Sequence, residues 1–450
     1  MTPDLDVAVV GAGVAGLATA RALARAGHSV RVLEAADAVG GRMRTVRRDG
    51  CLVDTGAEMI AARGYPATWA LIRELGLTPD EVPRVPDALA VWHDGRARLH
   101  AGRPLGLLTG AGLPVPARWD LVRLLARARA VRADAAEHSP DARRTVAELA
   151  ADHHPALADR LLAPLVRGFF GWRPERASAA PLLAHLAATG STAAWCTYRD
   201  GMDTLARRLA RGLDVATGHP VREVAEVPGG ARVAWDGGGL TARAVVLAVP
   251  APAARLLHPG APPDERGFLD ACAYAPMLRV SLTLDRPLAA RPDGRGFAVL
   301  VPASADPVVN VVTVDHRKHP GRAPAGRGLV SVITTPEATA ELLEASDTET
   351  ADLVVERAEP YLPGLRAALR TATPHRFPHG LPEPTPEALR LRPAFLRRPL
   401  RAVEYAGDWL TLRPCSEGAA ASALITAPRV LDLLRRRSAR ATEGHHHEAA

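Results

Sequence analysis

At 450 residues the chain is long enough for two or three domains around a sizeable buried core, and its 47% hydrophobic content is ordinary for a globular protein. The formal charge of +7 comes from 56 basic against 49 acidic residues, but Lys318 is the sole lysine and the arginines are dispersed among the acids. That pattern reads as the codon bias of a GC-rich genome and excludes the clustered basic face of a nucleic-acid binder.

Asp4 and Asp6 precede the first apolar run and no basic residue appears before Arg21, which argues against a secretory signal. Asp6 to Val10 reads as a short buried parallel strand. Gly11-Ala12-Gly13-Val14-Ala15-Gly16 then opens an alanine-rich helix to about Ala26, Gly27 stops it, and Ser29 to Leu33 reads as a second strand closed by Glu34-Ala35. Strand, glycine turn, helix and acid in this order form a dinucleotide-binding unit. Gly11 permits the tight turn, Gly13 the approach of a diphosphate, and Gly16 close packing of helix on strand. Val14 and Ala15 begin the helix whose N-terminus faces the phosphates. Glu34 is placed to accept both ribose hydroxyls, which disfavours a 2′-phosphate.

Residues 40–64 are punctuated by glycine, with Gly40-Gly41-Arg42-Met43-Arg44-Thr45 and then Asp54-Thr55-Gly56-Ala57-Glu58-Met59. Helical periodicity dominates from about 66 to 210, and Gly110-Ala111-Gly112 reads as a loop. Residues 215–250 return to strands, including Val221 to Val227, and end in Arg243-Ala244-Val245-Val246-Leu247-Ala248-Val249-Pro250. Further strands are predicted at 278–284, 297–301, 308–314 and 328–334, with a helix at about 348–359. A strand near Ala402 to Ala406 and a helix from about Glu417 to Arg436 follow. The tail 441–450, with His445 to His447, reads as disordered. Cys51, Cys196, Cys272 and Cys415 form no C-x-x-C, so neither a disulfide framework nor a metal site is expected, and the compartment is read as cytoplasmic. No apolar window is long enough for a spanning helix, leaving peripheral contact as the only membrane role.

Several of these stretches resemble one superfamily. The segment Leu33 to Thr45, LEAADAVGGRMRT, is similar to the extended FAD motif of flavin amine oxidases, protoporphyrinogen oxidases and carotenoid desaturases. The run ending in Ala248 resembles its second strand motif. Tyr405-Ala406-Gly407-Asp408, Glu417-Gly418-Ala419 and Ser422 resemble its C-terminal motif, with Ala423 where the family has glycine. Leu161 to Leu183 and Asp200 to Leu205 resemble the porphyrinogen-oxidase and desaturase branch. The resemblance implies an α/β fold: a glutathione-reductase-like Rossmann FAD domain from residues 1–64, 212–284 and 400–440. An inserted α+β substrate domain would comprise 65–211 and 285–399, with a helical part at about 115–210. It also implies that Arg42 and Asp408 lie by the diphosphate, that Val221 meets the adenine through its backbone, and that Gly40, Gly41, Gly56, Ala57, Glu58, Met59 and Gly407 line the cofactor.

The implied chemistry is that of an FAD-dependent oxidoreductase acting on a hydrophobic small molecule; the lack of a cysteine in residues 375–400 predicts noncovalent flavin, and the GC-rich composition suits bacterial secondary metabolism. With a single dinucleotide motif, dioxygen or another acceptor is expected to take the electrons. A porphyrinogen oxidase, a redox-neutral isomerase or cyclase, and a non-catalytic flavin scaffold are the alternatives. Amine oxidases carry a lysine where the strand Arg279 to Leu284 places Arg279, and an aromatic residue where Cys415 stands. Both residues are therefore expected to face the flavin from the substrate side, with Lys318 elsewhere, and the fixed charge of Arg279 should favour anionic or carbonyl substrates over amines.

Overall fold

The computed structural model describes residues 3–86, 88–99, 112–132, 135–191, 194–289 and 296–448. The expected loop at Gly110 and Ala111 and the last two residues of the tail lie outside them.

The alternation of apolar runs and glycine turns at the N-terminus builds strand β1 (Leu5–Val10), helix α1 (Val14–Arg25) and strand β2 (Val30–Leu33). β1 lies between β2 and the strand Gly238–Leu247, parallel to both. All four residues Val7 to Val10 are buried, as befits a strand covered on both faces. The sheet continues past β2 to Asp214–Ala216. On its other side it continues through the antiparallel strands Gly230–Trp235 and Val221–Val227, and Val403–Tyr405 pairs beside Gly238–Leu247. Residues from three distant parts of the chain thus share one sheet. The long helix Ser416–Glu448 packs against α1, and Ala420, Ala423, Val430 and Leu434 join Leu17 and Leu23 in one buried cluster. The small side chains of both helices allow that close approach.

A second sheet of seven strands has the order Leu369–Glu383, Ala273–Leu284, Gly328–Thr334, Val309–Thr313, Gly296–Leu300, Ala88–His93, Arg96–Leu99. Its leucines and valines at 278, 280, 282, 330 and 332 bury one face against the helices Pro336–Leu342 and Asp347–Ala358. Helices from Val115 to Thr189 pack around its other side and join a core that also includes Phe297 and Leu300.

Four sequence-based boundaries shift. The strand Ala273–Leu284, expected to close the segment 212–284 of the nucleotide domain, lies wholly in the second sheet. Residues 65–82 and 196–209, expected in the inserted domain, put Tyr65, Ile72, Leu77, Leu205 and Leu209 into the cluster around α1. The strands Ala88–His93 and Arg96–Leu99 interrupt the stretch read as helical, and the C-terminal helix continues through residues 441–448, read as a tail. The fifteen-residue strand Leu369–Glu383 was hidden by Pro374, Pro378 and Pro382. It is an edge strand, and Pro378 falls where the ladder slips opposite Ala275 to Met277, so the missing N–H groups are tolerated.

Candidate active site

The glycine turn after β1 is where the molecule is most tightly determined. A Cβ on Gly16 would stand 2.0 Å from the Gly11 carbonyl oxygen and 3.0 Å from the Ala248 Cβ, and one on Gly11 would stand 2.6 Å from the Ala248 carbonyl oxygen. Gly11 also has φ +105°, a conformation that side chains resist. These two glycines therefore let α1 lie directly on the end of the strand Gly238–Leu247 and on Ala248 just beyond it, whose N–H donates to the Val10 carbonyl at 2.8 Å. Gly13 differs: nothing in the protein lies within 4 Å of a Cβ placed there. The space beside it is open, and it begins a helix with no side-chain cap and no acid in its first turn. Uncapped N–H groups at a positive dipole end, facing open space over a glycine, fit a diphosphate.

Around this turn the other expected cofactor residues converge. Glu34 accepts from the backbone N–H groups of Ala12 (2.7 Å) and Ala36 (2.9 Å), so its carboxylate is fixed at the rim of the turn with Ala35 exposed beside it. Ala216, Gly218 and His219 bond to the backbone of Glu34 and Ala36, which brings the chain leading into Val221 alongside. Gly40 donates to Ala12 at 2.9 Å, and the Gly41 backbone lies over Gly13. Arg42 makes a two-pronged ion pair with Asp408, both contacts 2.9 Å, and also donates to the Gly380 carbonyl at 2.9 Å. Its guanidinium loses hydration, yet Asp408 outweighs that and holds its pKa above the ordinary value. Gly56 packs on Arg42, and Ala57 donates to the Arg42 carbonyl at 2.8 Å. Gly407 is held to the C-terminal helix by the Ser422 hydroxyl at 3.0 Å.

Two of the expected cofactor residues are committed elsewhere through their side chains. Glu417 accepts from Ala67 (3.1 Å) and Thr68 (2.9 Å), capping the helix Pro66–Glu74. Gly418 and Ala419 remain in the first turn of the last helix, where a Cβ on Gly418 would meet the Arg413 carbonyl oxygen at 2.0 Å. Glu58 pairs with Arg279 and accepts from Thr313 at 3.0 Å. Met59 packs at the edge of the core instead of presenting a polar contact.

Arg279 is the sharpest departure from expectation. It is 0% exposed, and its charge is compensated by Glu58 and by Asp315 at 3.2 Å. Asp315 in turn holds Lys318 at 2.6 Å and accepts from Ser331 at 2.5 Å. Lys318 approaches Asp54 at 3.8 Å, and Arg322 completes the chain at 2.8 Å from Asp54. Three cations and three carboxylates are thus buried as one network, and Lys318 shares a carboxylate with Arg279 instead of lying elsewhere. Burial pushes the Asp315 carboxyl up, but Lys318 and Arg279 prevail and hold it below the usual carboxylate range. No free positive charge is offered to a substrate here.

Cys415 sits among different neighbours. Tyr65 is hydrogen-bonded to it, burial pushes the pKa of both up, and the nearby cation is Arg413. Nothing among the hydrogen bonds and ion pairs of the described residues joins Cys415 to Arg279. Tyr65 meets His185 edge-on at 6.5 Å, His185 meets Phe170 at 4.9 Å, and Phe170 stacks on Trp172 at 4.5 Å. Phe169 and Trp195 form a second edge-on pair at 5.1 Å. The pairing of Tyr65 with His185 and of Asp54 with Lys318 and Arg322 escaped the sequence reading, because each of these contacts joins residues more than a hundred positions apart.

An α/β molecule built on two seven-stranded sheets, with an uncapped glycine turn, a rim carboxylate and a returning Arg42–Asp408 clamp, has the makings of a flavin-dependent oxidoreductase. Comparison with known proteins agrees: residues 14–431 match the sequence pattern of the flavin-containing amine oxidoreductases, and the chain belongs to that family. The chain is 40% identical over 99 residues to putrescine oxidase of Kocuria rosea, covering 22% of this chain and 20% of that protein. It is 32% identical over 117 residues to protoporphyrinogen oxidase 2 of Arabidopsis thaliana, covering 26% and 23%. The matched stretches therefore span less than a third of these relatives. The structure of putrescine oxidase bound to putrescine superposes with a TM-score of 0.77 at 21% identity, over 96% of this chain and 99% of that one. Cyclohexylamine oxidase from Brevibacterium oxydans gives 0.75 at 20% identity, over 96% and 100%. FAD is the cofactor this flavin-containing family implies, and the open space at Gly13 beside the uncapped helix N-terminus is compatible with its diphosphate.

Proposed function

We propose that the protein is an FAD-dependent oxidase, with noncovalent flavin and dioxygen as acceptor, that oxidises a largely apolar small molecule carrying at most one amine. When bound, the flavin supplies the hydride acceptor. The turn at Gly11 to Gly16 and the N-terminus of α1 hold the diphosphate, Glu34 the ribose, and Arg42 with Asp408 close the site from the far end of the chain. The buried ions from Glu58 to Arg322 fix the wall behind the motif Gly56-Ala57-Glu58 without presenting net charge. Tyr65, His185 and the aromatic pairs around Phe169 and Phe170 exclude water.

The observation that carries the substrate class is that Glu58, Asp408 and Glu417, the carboxylates of the flanking motifs, each hold a cation or a helix end. None of them is left to receive the distal ammonium of a diamine, and the charge beside Cys415 is positive. A hydrophobic monoamine meets no such deficit. A place in bacterial secondary metabolism, in the cytoplasm, is proposed with it from composition.

The test is peroxide formation by the FAD-loaded protein with cyclohexylamine and benzylamine against putrescine and spermidine. Turnover of the monoamines alone is expected; faster turnover of putrescine would overturn the substrate class. Photoreduced protein should reoxidise rapidly in air, and acid precipitation should release the flavin.

A further inference from the structure

Away from the nucleotide site, a cavity of about 260 Å³ lies between the hairpin Thr45–Arg48/Cys51–Asp54 and the second sheet. Val46 and Val53, a cross-strand pair of the hairpin, form its apolar wall, and Ser281, Thr283, Thr373 and His375 line it from the sheet. Arg47 and Arg48 stand exposed at its rim. None of its lining residues belongs to the glycine turn, the Arg42–Asp408 clamp or the segment Gly56 to Met59.

The lining is chemically unfinished. Ser281 is 2% exposed and its hydroxyl has no hydrogen-bond partner, and the Nε2 of His375 is likewise buried without one. Buried polar groups of this kind are nearly always paired, so two on one cavity point to a missing ligand. Burial, reinforced by Arg279, pushes His375 down to about 4, so at neutral pH its ring is uncharged and offers one donor and one acceptor. At the rim, neither Arg47 nor Arg48 forms an ion pair among the described residues, and Arg48 donates to Thr373. Asp49, the nearest carboxylate on the hairpin, is occupied by Thr283 at 2.8 Å and Thr371 at 3.1 Å.

Charge outside, neutral hydrogen-bonding groups inside and a valine wall between them describe a particular kind of guest. We propose that the cavity binds a small organic anion, a short-chain carboxylate bearing a neighbouring hydroxyl or carbonyl. The carboxylate lies at Arg47 and Arg48, the hydroxyl or carbonyl reaches Ser281 and His375, and the carbon skeleton covers Val46 and Val53. A bare inorganic anion would leave the inner groups and the valines unmet.

The experiment is calorimetric titration of the FAD-loaded protein with lactate, with 1,2-propanediol and inorganic phosphate as the neutral and inorganic comparisons. Saturable binding of lactate alone is expected, weakened about tenfold or more by Ser281→Ala and by the surface double variant Arg47→Ala/Arg48→Ala. Both variants should keep the flavin spectrum. Without lactate, Ser281→Ala should be at least as stable as the parent, because the hydroxyl it removes has no partner. Absence of saturable lactate binding overturns the proposal, as does equal affinity for phosphate or an affinity unchanged in either variant.

Discussion

Two glycines three positions apart, Gly13 and Gly16, illustrate how a single residue acts at this site. Gly13 is extended, at φ −75°, and faces open space, so Gly13→Val should fold normally and yet fail to retain flavin. Gly16→Ala places a carbon against the Gly11 carbonyl and should destabilise the fold itself. Thermal denaturation of the flavin-free proteins separates the two: the parent and Gly13→Val should coincide, while Gly16→Ala melts earlier. Retention of flavin by dilute Gly13→Val protein would remove the proposed diphosphate position. Arg279 makes the complementary case for a charge. Arg279→Met leaves Glu58 without its cation and Asp315 with Lys318 alone, which should cost about 3–5 kcal/mol in denaturant unfolding. Arg279→Lys keeps the charge and should lose much less.

At the scale of elements, the C-terminal helix ties the molecule together by what its first turn does. Glu417 caps the helix Pro66–Glu74, whose own N-cap, Tyr65, contributes no side-chain bond. Tyr65 also carries the contact to Cys415, so this cap sets the aromatic wall as well as the helix end. Glu417→Ala should therefore lower stability by about 1–2 kcal/mol, the range for loss of a helix cap, and raise KM for the oxidised substrate while flavin content changes little. Stoichiometric loss of flavin in Glu417→Ala would instead assign the carboxylate to the cofactor. The Arg42–Asp408 clamp joins the hairpin to the C-terminal strand in the same way, across more than three hundred residues.

For the whole molecule, buried histidines set the response to acid. Burial pushes His375 down to about 4 and His185 down to about 3, and it lowers His258, His319 and His379 as well. In the unfolded chain a histidine titrates near about 6.5. Between those values the unfolded state binds the extra protons, so stability is full above about 6.5 and falls as the pH drops toward the folded values. Asp315 has the ordinary carboxylate sign: its contribution is present above about 3.9 and is lost as pH falls through its lower folded value. Melting temperature should thus be flat between about pH 7 and 8 and decline steadily from about pH 6.5 to 5, well before carboxylates titrate. His185→Gln should make that decline shallower, and a Tm independent of pH over this interval would contradict the burial of these rings.

The nucleotide-binding half was legible in the residues because its determinants are local: a strand, three glycines, a helix start and an acid lie within thirty positions, and backbone sterics alone dictate that order. The distant Asp408 was legible through motif resemblance, since a tight turn between strand and helix keeps its own short pattern. Nothing local predicted that Arg279 would be neutralised, because its partners Glu58 and Asp315 are brought to it only when the second sheet packs on the hairpin. The strand Leu369–Glu383 was hidden for a related reason, its prolines being acceptable only at the sheet edge that tertiary packing creates. Local backbone geometry determined the glycine turn to which we assign the cofactor; the compensation of buried charge, which acts over ångströms in space and not over positions in sequence, was decided by the tertiary structure.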